Sequence, residues 1–160
     1  MARLMPPQTP AVLFVCMGNI CRSPLAEAAF RARAEAAGLA VTVESAGTGG
    51  WHAGSAPDPR AQAVARRRGI DIGGYRARKV KREDFDRFTH IFALDDANLA
   101  DLRRIAPRGA AAQVGLLLDL LDGPRGRSVA DPYYGGDEGF ETAWRQVDAA
   151  AVALVERLTG

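Results

Sequence analysis

The sequence predicts a single-domain α/β fold, an open four-stranded parallel sheet with helices on both faces. Three observations point to it. Short, nearly all-apolar runs recur along the chain, as strands buried on both faces require. Helical patterns stand between them, and this alternation is what a parallel sheet with crossover helices produces. No repeat, linker or low-complexity segment divides the 160 residues, a length that suits one domain and buries a core without disulfides or metal.

Met1 to Pro10 carries Pro6, Pro7 and Pro10 and reads as a flexible N-terminal tail, leaving residues 11–160 as the domain. Ala11 to Val15 is the first strand. Cys16 to Arg22 follows as a loop built on Gly18 and Asn19, and Ser23-Pro24 is predicted to open a helix, Ser23 as N-cap and Pro24 at the first helical position. Leu25, Ala28, Ala29, Ala32 and Ala36 give that helix an apolar face, and Gly38 stops it. Val41 to Val43 begins a second strand that closes at Gly47. A Gly- and Pro-rich loop carrying Trp51 runs to Pro59, and Arg60 to Arg68 is helical.

Residues 70–80 read as irregular and Glu83 to Arg87 as a short helix. His90 to Leu94 is the third strand, followed by a helix from Asn98 towards Ile105 that Pro107 ends. Val114 to Leu121 is apolar enough for a fourth strand, with a helical reading open for part of it. Gly123 to Gly139 is loop, and Phe140 to Leu158 a closing amphipathic helix.

Composition narrows the function. The net charge of +2 comes from scattered arginines, without the clustered stripe that nucleic acid requires. No run approaches the ~18 apolar residues of a membrane span, and the first residues lack the apolar stretch of a secretory signal. Two cysteines five positions apart suit a reducing cytoplasm and chemistry better than a disulfide framework. The preference for arginine over lysine, beside many alanines, reflects a GC-rich genome and carries no mechanism.

The chemistry concentrates in Cys16-Met17-Gly18-Asn19-Ile20-Cys21-Arg22-Ser23, between a strand and a helix. Five residues between Cys16 and Arg22 allow successive N–H groups to curl inward as an anion nest, a phosphate-binding loop after the first strand. The following helix adds its positive end. Gly18 permits close backbone approach, and Asn19 tolerates a left-handed conformation. Arg22 offers a planar fork for two phosphate oxygens. The same field favours the thiolate of Cys16 as nucleophile, and Ser23 can donate to its sulfur. Cys21, close by on the curled loop, would trap an oxidised Cys16 as a disulfide or simply pack beneath it. No Walker-type lysine motif occurs, and His52 and His90 stand at poor spacing to join the thiols around zinc.

A phenolate is a poor leaving group unless protonated, since phenol has a pKa of ~10. Asp131-Pro132-Tyr133-Tyr134 offers a general acid, Asp131, beside two aromatic walls for a planar ring. Trp51 is expected to form the opposite wall.

With these residues in view, Val15 to Pro24 followed by Ala26-Glu27-Ala28 resembles the low-molecular-weight protein tyrosine phosphatases. So do Glu44-Ser45-Ala46-Gly47, Leu94 to Asn98 and Asp131 to Gly135, in the family's order. The resemblance implies a two-step mechanism without metal or cofactor. By it Cys16 attacks phosphorus, Arg22 holds the phosphoryl group, and Asp131 protonates the phenol and then activates water. Asn19 and Ser45 brace the loop and Ser23 tunes the thiolate. Met17, Gly18, Asn19, Ile20, Cys21 and Ser23 line the phosphate, with Trp51, Tyr133 and Tyr134 at the rim. His52, beside Trp51, bears on substrate preference. The implied partner is a phosphotyrosine protein, met by a cytoplasmic monomer. Arsenate reduction on a similar loop needs cysteines downstream, and none follows Cys21. A related phosphoarginine branch tends to carry Thr where Ile20 stands. A phosphoprotein-binding module without turnover is disfavoured by the intact Cys16, Arg22 and Asp131.

Overall fold

The computed structural model describes residues 9–160, so the predicted N-terminal tail lies almost wholly outside the described residues. Four strands, β1 (Ala11–Cys16), β2 (Thr42–Gly47), β3 (His90–Ala93) and β4 (Gln113–Leu116), form one parallel sheet in the order β2-β1-β3-β4. The helices are α1 (Arg22–Ala36), α2 (Pro59–Arg66), α3 (Asp84–Arg87), α4 (Asp96–Ile105) and α5 (Asp137–Thr159).

Alternation along β1 explains why the sheet is covered twice. Val12, Phe14 and Cys16 face a core shared with α1, α2 and α5, while Leu13 and Val15 face a smaller core under α3 and α4. Phe14 meets Phe30 of α1 edge-on at 5.8 Å, and both rings are fully buried. Truncating either to alanine would cost about 3–5 kcal/mol by the usual measure of a large core deletion.

Element boundaries shift where side-chain chemistry overrides periodicity. Asp95 caps α4 by accepting from the Asn98 amide at 2.7 Å, so that helix starts at Asp96 rather than at Asn98. Asp137 and Glu138 occupy the first turn of α5, where its dipole favours acids, and extend it ahead of Phe140. The fourth strand is shorter than predicted. It pairs with β3 over four residues only, and Leu117–Leu120 then form a 3₁₀ turn whose Leu117 and Leu118 pack in the α5 core.

The start of α1 corrects the sequence reading. The helix begins at Arg22 with Cys21 in the N-cap position and no side-chain cap, so Ser23 and Pro24 lie within the first turn. Pro24 is tolerated because first-turn amides need no intrahelical partner. Ser23 is not a cap because its hydroxyl is committed to the sulfur of Cys16.

Candidate active site

In a parallel sheet all strands end at one edge, and ligands settle where the crossovers diverge. Here β1 leads through α1 to β2 on one side, while β3 leads through α4 to β4 on the other. The crevice therefore opens between the ends of β1 and β3, where Cys16 and Asp95 stand.

The loop leaving β1 curls around the Cys16 sulfur. Asn19 is the one non-glycine at positive φ (59°) among the described residues, and its amide donates to Cys16 Sγ at 3.3 Å. Among the described residues, the amides of Met17, Gly18 and Ile20 donate to no carbonyl, which leaves them for an anion. The loop is held from outside as well. The Thr48 amide bonds to the Cys16 carbonyl at 2.9 Å and the Gly49 amide to the Met17 carbonyl at 3.0 Å. Gly47 must lack a side chain, since a Cβ there would lie 2.7 Å from the Met17 carbonyl oxygen.

A chain of hydrogen bonds sets the proton on Ser23. Glu27 accepts from the Ser45 hydroxyl at 2.7 Å, so the Ser45 oxygen is free to accept from Asn19 Nδ2 at 2.9 Å. The second Nδ2 proton goes to Ser23 Oγ at 2.8 Å, and Asn19 Oδ1 accepts from the Arg78 amide at 3.0 Å. With its oxygen already accepting, Ser23 has its hydroxyl proton available for Cys16 Sγ, 3.0 Å away. Glu27 and the Arg78 amide are members of this brace that the sequence reading did not name. Glu27 lies on α1 four residues past Ser23, and that same-face helical spacing was the available signal.

Arg22, at the far end of the loop, is 3% exposed. It donates to Asp95 at 2.6 Å and to the Val129 carbonyl at 3.0 Å, and its other terminal nitrogen lies 3.6 Å from Asp131. Burial works against its charge, but Cys16, Asp95 and Asp131 outweigh that and raise its pKa above the ordinary guanidinium value. Asp95 is thus the orienting partner of Arg22, a role that a motif scan leaves unassigned.

Asp131 faces the loop from the segment before α5. Its Oδ1 accepts from the Tyr133 amide at 3.1 Å, leaving Oδ2 turned towards Arg22. Arg60 pins this segment by donating to the carbonyls of Tyr133 (2.8 Å) and Gly135 (3.1 Å), and is itself held by Asp58. The Asp58 amide bonds the Ile20 carbonyl at 2.8 Å, so one short stretch ties the acid's segment to the phosphate loop.

Together these residues enclose a cleft of about 160 Å³, lined by Cys16, Met17, Gly18, Ile20, Cys21 and Arg22 below and by His52, Asp131, Tyr133 and Tyr134 above. Ser23, Asn19 and Ser45 sit behind it. Tyr133 and Tyr134 meet edge-on at 4.9 Å at the rim. Cys16 and Cys21 are free, buried thiols, and burial first, then Asp58, Cys16 and Asp131, push the Cys21 thiol well above its ordinary value. Trp51 requires a correction: it does not border the cleft. Its indole lies over Gly49, 73% exposed, and lines a different cavity, while His52 takes the place expected of it. Loop geometry alone decides which of two adjacent side chains points in.

A buried sulfur and an arginine fork at the two ends of one amide-lined loop, on the carboxyl edge of a parallel sheet, define a cysteine-dependent phosphoric monoester hydrolase. The chain belongs to the low molecular weight phosphotyrosine protein phosphatase family, whose sequence pattern it matches over residues 11–160. It is 48% identical to the low molecular weight protein-tyrosine-phosphatase of Streptomyces coelicolor over 149 residues, 90% of each chain. It is 46% identical to the corresponding phosphatase of Schizosaccharomyces pombe over 139 residues, 85% of this chain and 88% of that one. Its fold superposes on the crystal structure of YfkJ from Bacillus subtilis with a TM-score of 0.88 at 38% identity, covering 96% of both. No helix among the described residues is long and apolar enough to cross a membrane.

Proposed function

We propose that the enzyme hydrolyses phosphotyrosine in proteins through a phosphocysteine on Cys16. The observation that carries this is the convergence of Cys16 and Arg22, from the two ends of one loop, and Asp131, from a segment more than a hundred residues further along, on one cleft. The Cys16 thiolate attacks phosphorus in line with the ester oxygen while the loop amides and Arg22 hold the other oxygens. As the P–O bond breaks, Asp131 delivers a proton to the departing phenolate. Water then attacks the phosphocysteine and Asp131 takes its proton. The P–S bond breaks, and the sulfur leaves as a thiolate that the Ser23 hydroxyl and the Asn19 amide receive. Asn19 and Ser45 keep that loop in shape.

Depth supports an aryl substrate. Cys16 is 3% exposed at the floor while Tyr134 is 94% exposed at the rim, and a phosphotyrosine spans that depth better than a phosphoserine. The two buried free thiols suit a reducing cytoplasm.

The test is turnover of aryl phosphates of graded leaving-group pKa beside phosphotyrosine, phosphoarginine and arsenate. Cys16→Ser is expected to lose turnover and still bind phosphate, because the nest is backbone. Asp131→Asn is expected to slow phosphotyrosine by ~10²–10⁴-fold and activated aryl phosphates far less. An unchanged leaving-group slope would remove Asp131 as the acid, and retained activity in Cys16→Ser would remove Cys16 as nucleophile.

A further inference from the structure

Across the Trp51-His52 pair from the catalytic cleft lies a second cavity, of about 690 Å³, that the reaction above does not use. His52 borders the first and Trp51 the second. The chain has only two lysines, Lys79 and Lys81, and both line this second cavity together with Arg82 and Arg104. Two carboxylates, Glu83 and Asp101, also border it, and Asp101 is paired with Arg104.

The basic side chains around it differ in how they are employed. Arg78 and Arg87 pair with Glu44 and Asp84. Lys79, Lys81 and Arg82 form no ion pair among the described residues, so three cations within four positions face solvent beside an exposed indole. Two adjacent glycines shape the shelf: the Trp51 ring lies over Gly49, and the Lys79 stem runs past Gly50, whose added Cβ would lie 3.7 Å from Lys79 Cδ.

The sheet pairing fixes how far the Lys79 backbone stands from that of Cys16. Cys16 is level with Gly47 across the β1–β2 pair, and Gly47 is level with Lys79 on its other side. The Gly47 amide donates to the Arg78 carbonyl and the Val80 amide to the Gly47 carbonyl, both at 2.8 Å. Two inter-strand spacings therefore separate Cys16 from Lys79, about 10 Å. An extended peptide covers that distance in about three residues.

We propose that this cavity docks acidic residues lying two to four positions from the phosphotyrosine of a protein substrate. Their carboxylates meet Lys79, Lys81 and Arg82, and the intervening peptide crosses the ridge made by Trp51 and His52. The proposal rests on the phosphotyrosine reading above and adds the class of sequence around the phosphorylated residue. Glu83 repels a carboxylate placed beside it, so the carboxylates bind nearer Lys79 and Lys81.

The test is steady-state kinetics of the parent and of Lys79→Gln/Lys81→Gln/Arg82→Gln on three phosphotyrosine peptides. Acidic residues lie before the phosphotyrosine in one, after it in another, and are replaced by glutamine in the third; p-nitrophenyl phosphate serves as the reaction control. The parent is expected to favour one acidic peptide by about 10-fold in kcat/KM, three exposed charge contacts acting together. The gain should lie in KM and shrink as salt rises from ~0.05 to ~0.5 M. In the triple variant the three peptides should become equivalent while p-nitrophenyl phosphate turnover is unchanged. Equal rates on all three peptides in the parent, with p-nitrophenyl phosphate turned over normally, would overturn the docking site and leave the phosphatase reading intact. So would an acidic preference that survives the triple substitution. A parent enzyme inactive on every peptide and on p-nitrophenyl phosphate would overturn both.

Discussion

Arg22 and Asp95 meet at 2.6 Å, and that contact joins the phosphate loop to the N-terminus of α4. One carboxylate oxygen holds the guanidinium while the other caps the helix through the Asn98 amide. A single side chain thus couples the position of the phosphate clamp to the register of a helix on the opposite face of the sheet.

The two duties of Asp95 can be separated by substitution. Asp95→Ser keeps an oxygen able to cap α4 but removes the partner of Arg22, whereas Asp95→Ala removes both. Both variants are expected to lose kcat/KM by up to ~10²-fold through a misplaced Arg22, with weakened inhibition by inorganic phosphate. Asp95→Ala should in addition lose ~1 kcal/mol of stability relative to the serine variant. Thermal melts beside phosphate inhibition constants measure the two effects independently.

Asn19 combines a left-handed backbone with three side-chain hydrogen bonds. Asn19→Gly retains the conformation and loses the bonds, while Asn19→Ala loses both, so alanine should be less stable than glycine by about 1–2 kcal/mol. Both should lower kcat, since Ser23 and Ser45 are then unbraced. Equal stability of the two variants in urea would show that the loop relaxes out of the left-handed region.

Arg60 bridges the Ile20 side of the loop to the segment carrying Asp131, through Asp58 on one side and the Tyr133 and Gly135 carbonyls on the other. Arg60→Ala is therefore expected to lower kcat most for aryl phosphates with poor leaving groups, by up to ~10²-fold. Phosphate binding should stay near that of the parent. A loss uniform across leaving groups would mean that Arg60 supports the fold rather than the placement of Asp131.

Glu141 on α5 accepts from Arg68 first and Arg67 second, which lower its carboxyl from the ordinary 4.5 to about 2. A lowered folded-state value means the contribution is complete above about pH 4.5 and is lost as pH falls towards 2. The pair lies at the surface, so the contribution is under ~1 kcal/mol. Unfolding free energies from urea titrations should fall more between pH 7 and ~3 in the parent than in Glu141→Gln, by less than ~1 kcal/mol.

Much of this protein follows from local sequence. The apolar run at Ala11 to Val15 is a buried parallel strand because its residues have no polar face to turn outward. Cys16, Gly18, Asn19 and Arg22 mark an anion loop because their spacing is short, and a curled backbone needs no distant partner to form. Asp131 was legible for a different reason: its chemistry is required once a phenolate must leave.

Tertiary structure decided what depends on two loops meeting. Asp95 serves Arg22 because parallel strands bring the ends of β1 and β3 to one edge, a proximity that a sequence separation of 73 conceals. Ser45 reaches Asn19, and Glu27 reaches Ser45, only after α1 packs beside β2. Ser23 carries the spacing of a helix cap, yet it turns to the sulfur because Asn19 already fills its lone pair. Trp51 and His52 are neighbours in the chain, and composition favours the indole as the aromatic wall. The backbone between Gly47 and Gly54, tied to Met17 on one side and to Ala77 on the other, turns the imidazole inward and leaves the indole with the lysines. Side-chain type is written residue by residue, but the direction in which a side chain points is set by whatever the backbone on either side is bonded to.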